Sequence, residues 1–235
     1  MLNNTPSPRP IPLRPRGDNR FRTALRGGGV AGFLVIVAVL AATWFFGPRI
    51  GALLVVVWAL VAKVPWRDLG FRRPKSWPLL IVAGIVAGVA SKLLMKAVVM
   101  PLLHAPDINP AFQWLVGNTN ALPGVIAMVI FSAGLGEELI ARGFLFERLG
   151  KLYGESRNAL IATILITSTL FGAAHYPEQH WMGVQQAFIL ALVDGVIFAA
   201  TRQLWFLIVM HAAFDLVACF IIYFGWERAI AHVFF

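Results

Sequence analysis

Glu137 and Glu138 stand side by side in an apolar run, with Arg142 four positions after Glu138. His175 closes a second apolar run, and His211 and Asp215 lie four apart in a third. Lys92, Lys96 and Asp194 interrupt apolar sequence elsewhere. A charge at the centre of a membrane-spanning helix costs on the order of 2.5–3.5 kcal/mol on the insertion scale, so each of these residues calls for a partner or a function. Adjacent glutamates on a helix point about 100° apart and cannot share one pocket equally. Glu138 and Arg142 fall on one face in the favourable acid-first order, which leaves Glu137 to face a cavity. His211 and Asp215 share a face by the same spacing, as do Phe171 and His175. A carboxylate beside an imidazole polarises a water, and a second imidazole with an acid holds a developing oxyanion or a metal ion. That equipment hydrolyses an amide. Taken singly, each pair also reads as an ion pair or hydrogen-bonded couple that only packs helices.

The elements that must position these residues are transmembrane helices. Of 235 residues, 59% are hydrophobic and only 13% are charged, about half the charged share of a soluble domain. A hydrocarbon core of about 30 Å needs about 20 apolar residues per helix. The chain is therefore expected to be an all-α, polytopic transmembrane bundle of about seven spans (about six to eight), in which Cys219 is a small buried hydrophobe. The spans are expected near 28–46, 50–64, 77–102, 122–151, 158–176, 181–200 and 204–224. Residues 1–26 read as a disordered basic cytoplasmic arm, 27–76 as two transmembrane helices with a basic loop, and 77–235 as the catalytic core.

The net charge of +9 gathers at Arg9 to Arg26, in the loop from Lys63 to Lys75, and at Arg142, Arg148, Lys151, Arg157 and Arg202. Basic residues that flank spans mark the cytoplasmic side, which puts the N-terminus inside, with Arg49 as the exception. The same distribution argues against nucleic-acid binding, which would need a basic polar face. Rises of 1.5 Å per residue put Glu137, His175, His211 and Asp215 at depths of roughly 14, 22, 11 and 17 Å, a spread that ordinary tilts can narrow.

The chain has no His-Glu-x-x-His, no Gly-x-Ser-Gly and no Gly-x-Gly-Asp. The stretch Gly136-Glu137-Glu138-Leu139-Ile140-Ala141-Arg142 resembles the Glu-Glu-x-x-x-Arg motif of the CAAX prenyl endopeptidase and bacteriocin-processing family (CPBP, also called ABI). Phe171-Gly172-Ala173-Ala174-His175 resembles its Phe-x-x-x-His motif. Leu204-Trp205 followed by His211-Ala212-Ala213-Phe214-Asp215 is similar to its His-x-x-x-Asn/Asp motif. Asp68 to Pro74 is similar to the basic loop before the family's core.

The resemblance implies an intramembrane endopeptidase acting on a peptide or protein presented at the lipid bilayer. Glu137 would activate water with His175 as partner, His211 and Asp215 would complete the pocket, and Glu138, Arg142 and Phe171 would support it. Asp215 would stay protonated, orient His211 or ligate a metal, because an ionised Asp cannot donate to an oxyanion. A divalent ion such as zinc, held by Glu137, His175, His211 and Asp215, remains an open cofactor on ligand type alone. The bacterial members of the family suggest a bacterial inner membrane. A proton-coupled carrier, or an idle immunity or scaffold protein of the same fold, would also place acid–imidazole chains at depth. Lys92 and Lys96 share a helix face and are expected to snorkel or to pair with Asp194.

Overall fold

The computed structural model describes residues 20–154 and 156–234, and all regular secondary structure among them is helical. Most of the expected basic arm lies outside the described residues. Its end does not: Arg20–Arg26 forms a helix, α1, where the sequence reading has disorder. The correction has a tertiary cause: a helix end leaves carbonyls that need donors, and here distant residues supply them. Leu25 O accepts from Arg148 Nη1 at 2.9 Å and from Trp58 Nε1 at 3.2 Å, and Arg26 O accepts from Arg148 Nη2 at 2.8 Å.

The apolar helices of the bundle follow as α2 (Val30–Phe46), α3 (Pro48–Ala62), α4 (Trp77–Leu102), α5 (Thr119–Tyr153), α6 (Arg157–Ala174), α7 (Tyr176–Thr201) and α8 (Leu204–Tyr223), with a short α9 (Glu227–Ala231) after them. Helices α4 to α8 are each long and apolar enough to cross a bilayer, and α1 with α2, bent by 60°, adds a sixth span if the two are one. The 15 residues of α3 rise only about 22 Å, short of the hydrocarbon thickness. Gly47, at φ 85°, makes the expected tight turn before Pro48. Large apolar side chains point outward along the spans, as Leu79 does at 69% exposed and Phe131 at 64%. Such a surface suits lipid and not water.

Helix α8 is packed on two sides through glycines. A Cβ at Gly88 of α4 would stand 2.8 Å from Ala213 Cβ and 2.9 Å from Phe214 N, and would collide with Met210 O. At Gly84, one turn earlier, it would stand 2.8 Å from Val209 Cγ1. Gly134 of α5 lies against Ile208 O and Ala212 in the same way. Small residues four apart let membrane helices approach closely where no hydrophobic force drives them together. Backbone cannot yield as a side chain can, so Gly88→Ala should destabilise the protein by about 1–3 kcal/mol. Thermal unfolding in detergent checks this, and an unchanged midpoint would contradict the α4–α8 contact.

Two details re-aim side chains within the helices. Helix α5 has wide π-helical turns over Val129–Glu137 and Leu139–Phe144, which meet at Glu138. Such turns are uncommon and concentrate at functional sites. Helix α7 is broken at His180 (φ 51°, ψ −152°), where the sequence reading starts its sixth span.

At the end of the bundle away from the basic loop, Glu227 is buried and gathers Lys96 Nζ at 3.3 Å, Asn109 N at 2.9 Å and Gln113 Nε2 at 2.7 Å. Lys96 also donates to Asp107 O. Lys96 therefore pairs with Glu227 and not with Asp194. At the basic end, Leu204 N donates to Gly70 O at 2.9 Å, and Phe71 packs edge-on against Trp205 at 4.9 Å. The basic loop and the Leu-Trp pair, distant in sequence, thus meet.

Candidate active site

Four helices supply the site: α5 carries Glu137, Glu138 and Arg142, α6 carries Phe171 and His175, α7 carries Asp194, and α8 carries His211 and Asp215. At its centre is Glu138, whose side chain is 0% exposed. Its Oε1 accepts from Arg142 Nη1 at 2.6 Å and from His211 Nδ1 at 2.7 Å. Arg142, itself buried, also donates from Nη2 to Ala191 O at 3.3 Å and lies 3.6 Å from Asp194 Oδ2. Its guanidinium stacks over the Phe171 ring at 4.9 Å. Buried charges persist when paired and further hydrogen-bonded, and Arg142 meets both conditions.

The neighbouring carboxylate is in a different state. Glu137 is 22% exposed at its side chain, and its Oε2 lies 3.9 Å from His211 Nε2, too far for a hydrogen bond. That oxygen has no hydrogen-bond partner, and neither has the second oxygen of Glu138, so the two glutamates differ in exposure and in the bonds to Glu138 Oε1. Asp215, 28% exposed, brings Oδ2 to 3.4 Å from the same Nε2. Glu137 and Asp215 therefore flank one nitrogen of His211 while Glu138 holds the other.

Because a carboxylate only accepts, the Nδ1–H of His211 donates to Glu138, and Nε2 is the nitrogen turned toward the open part of the site. His175 is fixed by the same logic. Its Nδ1 lies 2.8 Å from Phe171 O, a carbonyl that only accepts, so Nδ1 carries the proton and Nε2 is free to act. The Phe171 ring sits 4.9 Å from the His175 ring and 6.0 Å from the His211 ring, with Arg142 over it, so one phenyl spaces both imidazoles and the cation.

The expected Glu138–Arg142 pair is thus present, and His211 and Asp215 face each other across one helical turn. The sequence reading missed the link from Glu138 to His211, which joins residues 73 positions apart. Of its two alternatives for Lys92 and Lys96, pairing with Asp194 is not what the structure shows. This buried carboxylate serves Arg142, whereas Lys92 donates to Gln186 Oε1 at 3.1 Å. The one signal for Asp194 was its charge at depth, which announces a partner without naming it. Among the described residues no three or more His, Cys, Asp or Glu are arranged to hold a metal ion, so Glu137, His175, His211 and Asp215 do not form such a set as placed.

Fold and site together define an integral membrane helix bundle with a carboxylate–imidazole centre buried between its helices. Residues 118–217, which include every residue of that centre, match the family model of the Rce1-like type II CAAX prenyl endopeptidases. The match covers 100 of the 235 residues and agrees with the resemblance of these motifs to the CPBP family. No curated protein and no solved structure matches the chain.

Proposed function

We propose that the protein is an intramembrane endopeptidase of the CAAX-protease type, with Glu137 as the base that activates water. The observation that carries this reading is the contrast between two adjacent glutamates. Glu138 is 0% exposed and its Oε1 is held by both Arg142 and His211, whereas the side chain of Glu137 is 22% exposed and lies 3.9 Å from the nearest imidazole nitrogen of His211.

In this reading a water between Glu137 and the Nε2 of His175 gives its proton to Glu137 and attacks the scissile carbonyl. His211, held by Glu138 in one orientation, presents Nε2 to the developing oxyanion and is able to donate there when protonated. Glu137 then returns the proton to the leaving amine. Asp215 steadies the protonated imidazole. The substrate is a peptide presented from the membrane. A prenylated peptide, after the CAAX prenyl endopeptidases of the matching family model, is the first class to test, in a bacterial inner membrane with the N-terminus cytoplasmic. Discontinuous helices at mid-depth, which mark carriers, do not favour the transport reading, since the backbone break in α7 lies near that helix's start.

The test is cleavage of fluorogenic, membrane-anchored peptides, with and without an S-farnesyl cysteine, by the purified protein in detergent. Wild type should cleave, and His175→Ala should lose about 10²–10⁴-fold in kcat, the usual contribution of a positioned acid–base group. A chelator arm separates water activated by Glu and His alone from metal-bound water. A folded wild type that cleaves no member of the set would defeat the reading.

A further inference from the structure

The segment between α3 and α4 carries five exposed cations, Lys63, Arg67, Arg72, Arg73 and Lys75, and a single acid, Asp68. Asp68 lies 3.7 Å from Arg67, which leaves Arg72, Arg73 and Lys75 with no acid in their own segment. Exposed cations beside a span mark only its side of the membrane. Arg73 and Lys75 differ from the rest in the surfaces that they border. Arg73 lines an open cleft of about 450 Å³ walled by Trp66, Phe71, Trp77 and Trp205. Lys75, beyond Pro74, lines a groove of about 660 Å³ that α4 forms with the end of α7 and the start of α8. Among the described residues, no acidic side chain lines either one.

The groove is polar at one end and apolar below it. Lys75, Thr201 and Gln203 stand where α4 begins and α7 ends, at the basic end of the bundle. Leu79, Ala83, Ile197 and Phe206 line it up to two turns further in. Gly84 presses α4 onto Val209 and Phe206 O of α8, and the small Ala83 beside it does not fill the space left toward α7. The Gln203 Oε1 is buried with no hydrogen-bond partner, so a ligand with a hydroxyl donor would satisfy it. Trp66 and Trp77, each 41% exposed, flank this end, and such amphipathic rings sit at the headgroup level of a bilayer. A cationic mouth at headgroup level above an apolar groove complements a phospholipid of negative charge.

We infer that Arg73, Lys75 and the groove between α4 and α7 bind one anionic phospholipid with a hydroxylated headgroup, of the phosphatidylglycerol class. Its phosphate takes the two cations, a headgroup hydroxyl donates to Gln203 Oε1, and one acyl chain lies along Ala83 and Ile197. The site is separate from the reacting groups and does not depend on the peptidase reading. One element joins the two. Gln203 immediately precedes α8, which carries His211 and Asp215, and Leu204 N donates to Gly70 O of the basic segment. A lipid held there braces the start of that helix.

Native mass spectrometry of the full chain in detergent tests this, with phosphatidylglycerol and phosphatidylcholine of identical acyl chains offered together. Wild type should retain one phosphatidylglycerol in preference to phosphatidylcholine by about 10- to 30-fold, at about fivefold per basic residue. Arg73→Gln with Lys75→Gln should cut the preference below about threefold. Lys63→Gln with Arg67→Gln removes as much charge from the same segment, outside both clefts, and should keep the preference. Ala83→Phe should weaken retention with every cation in place. All five positions are exposed, so the variants should keep the fold. Glycerophosphoglycerol, which has the headgroup and no acyl chains, should not displace the lipid; displacement would reveal a site for a free anion and overturn the inference. Equal retention of the two lipids overturns it, as does a preference that survives the Arg73 and Lys75 substitutions. An S-farnesyl peptide that displaces the lipid also overturns it, since the groove would then serve a substrate.

Discussion

Glu137→Gln should lower turnover by about 10²–10⁴-fold and leave the protein folded. The substitution keeps the shape of the side chain and removes only its capacity to take a proton. Glu137 contributes little to packing energy, because its Oε2 lacks a hydrogen bond and its side chain is 22% exposed. The thermal unfolding midpoint in detergent should therefore stay at or above that of wild type, while kcat on a cleaved peptide falls. Glu138→Gln should show the opposite division. It withdraws charge from both Arg142 and His211, so stability should drop together with activity. Turnover within about threefold of wild type in Glu137→Gln would remove Glu137 as the general base, whatever the behaviour of Glu138.

Arg142→Met should destabilise the protein by about 3–5 kcal/mol, the range for removing one partner of a buried ion pair. Two carboxylates depend on this guanidinium, Glu138 at 2.6 Å and Asp194 at 3.6 Å, and neither is open to water. Without it, two like charges remain in a medium of low dielectric, and Phe171 loses the cation stacked on its face. The triple variant Arg142→Met, Glu138→Gln, Asp194→Asn should recover much of the lost stability, because removing all the charges also removes the desolvation penalty. It should not recover activity, since His211 would no longer be held by a carboxylate. Thermal unfolding of the single and triple variants decides this. An Arg142→Met protein as stable as wild type would show that the cluster is not held by this cation.

Much of this molecule is legible in the order of its residues. The membrane-spanning helices follow from the length of the apolar runs, because a bilayer imposes a length that composition reveals directly. The Glu138–Arg142 and His211–Asp215 neighbours follow from spacing, because residues four apart on a helix meet whatever lies outside it. The choice of Glu137 as the open glutamate also follows, once Arg142 claims Glu138.

The pairing of buried charges between helices does not follow from the sequence. Asp194 belongs to Arg142, Lys96 to Glu227, and Lys92 donates to Gln186, although the sequence reading leaves both lysines to snorkel or to pair with Asp194. Partner choice is decided by which helix faces abut. Here it is set by the glycines that press α4 and α5 onto α8 and by the π-helical turns that rotate α5 at Glu138. The ordered helix at Arg20–Arg26 is another such outcome, since its end is held by Arg148 and Trp58 from elsewhere in the chain. Hydropathy and helical spacing are local quantities, so the sequence by itself determined the helices and the faces that carry chemistry. The contacts that fix His211 on Glu138 and set Lys92 against Gln186 arise between helices, and only the tertiary structure decided them.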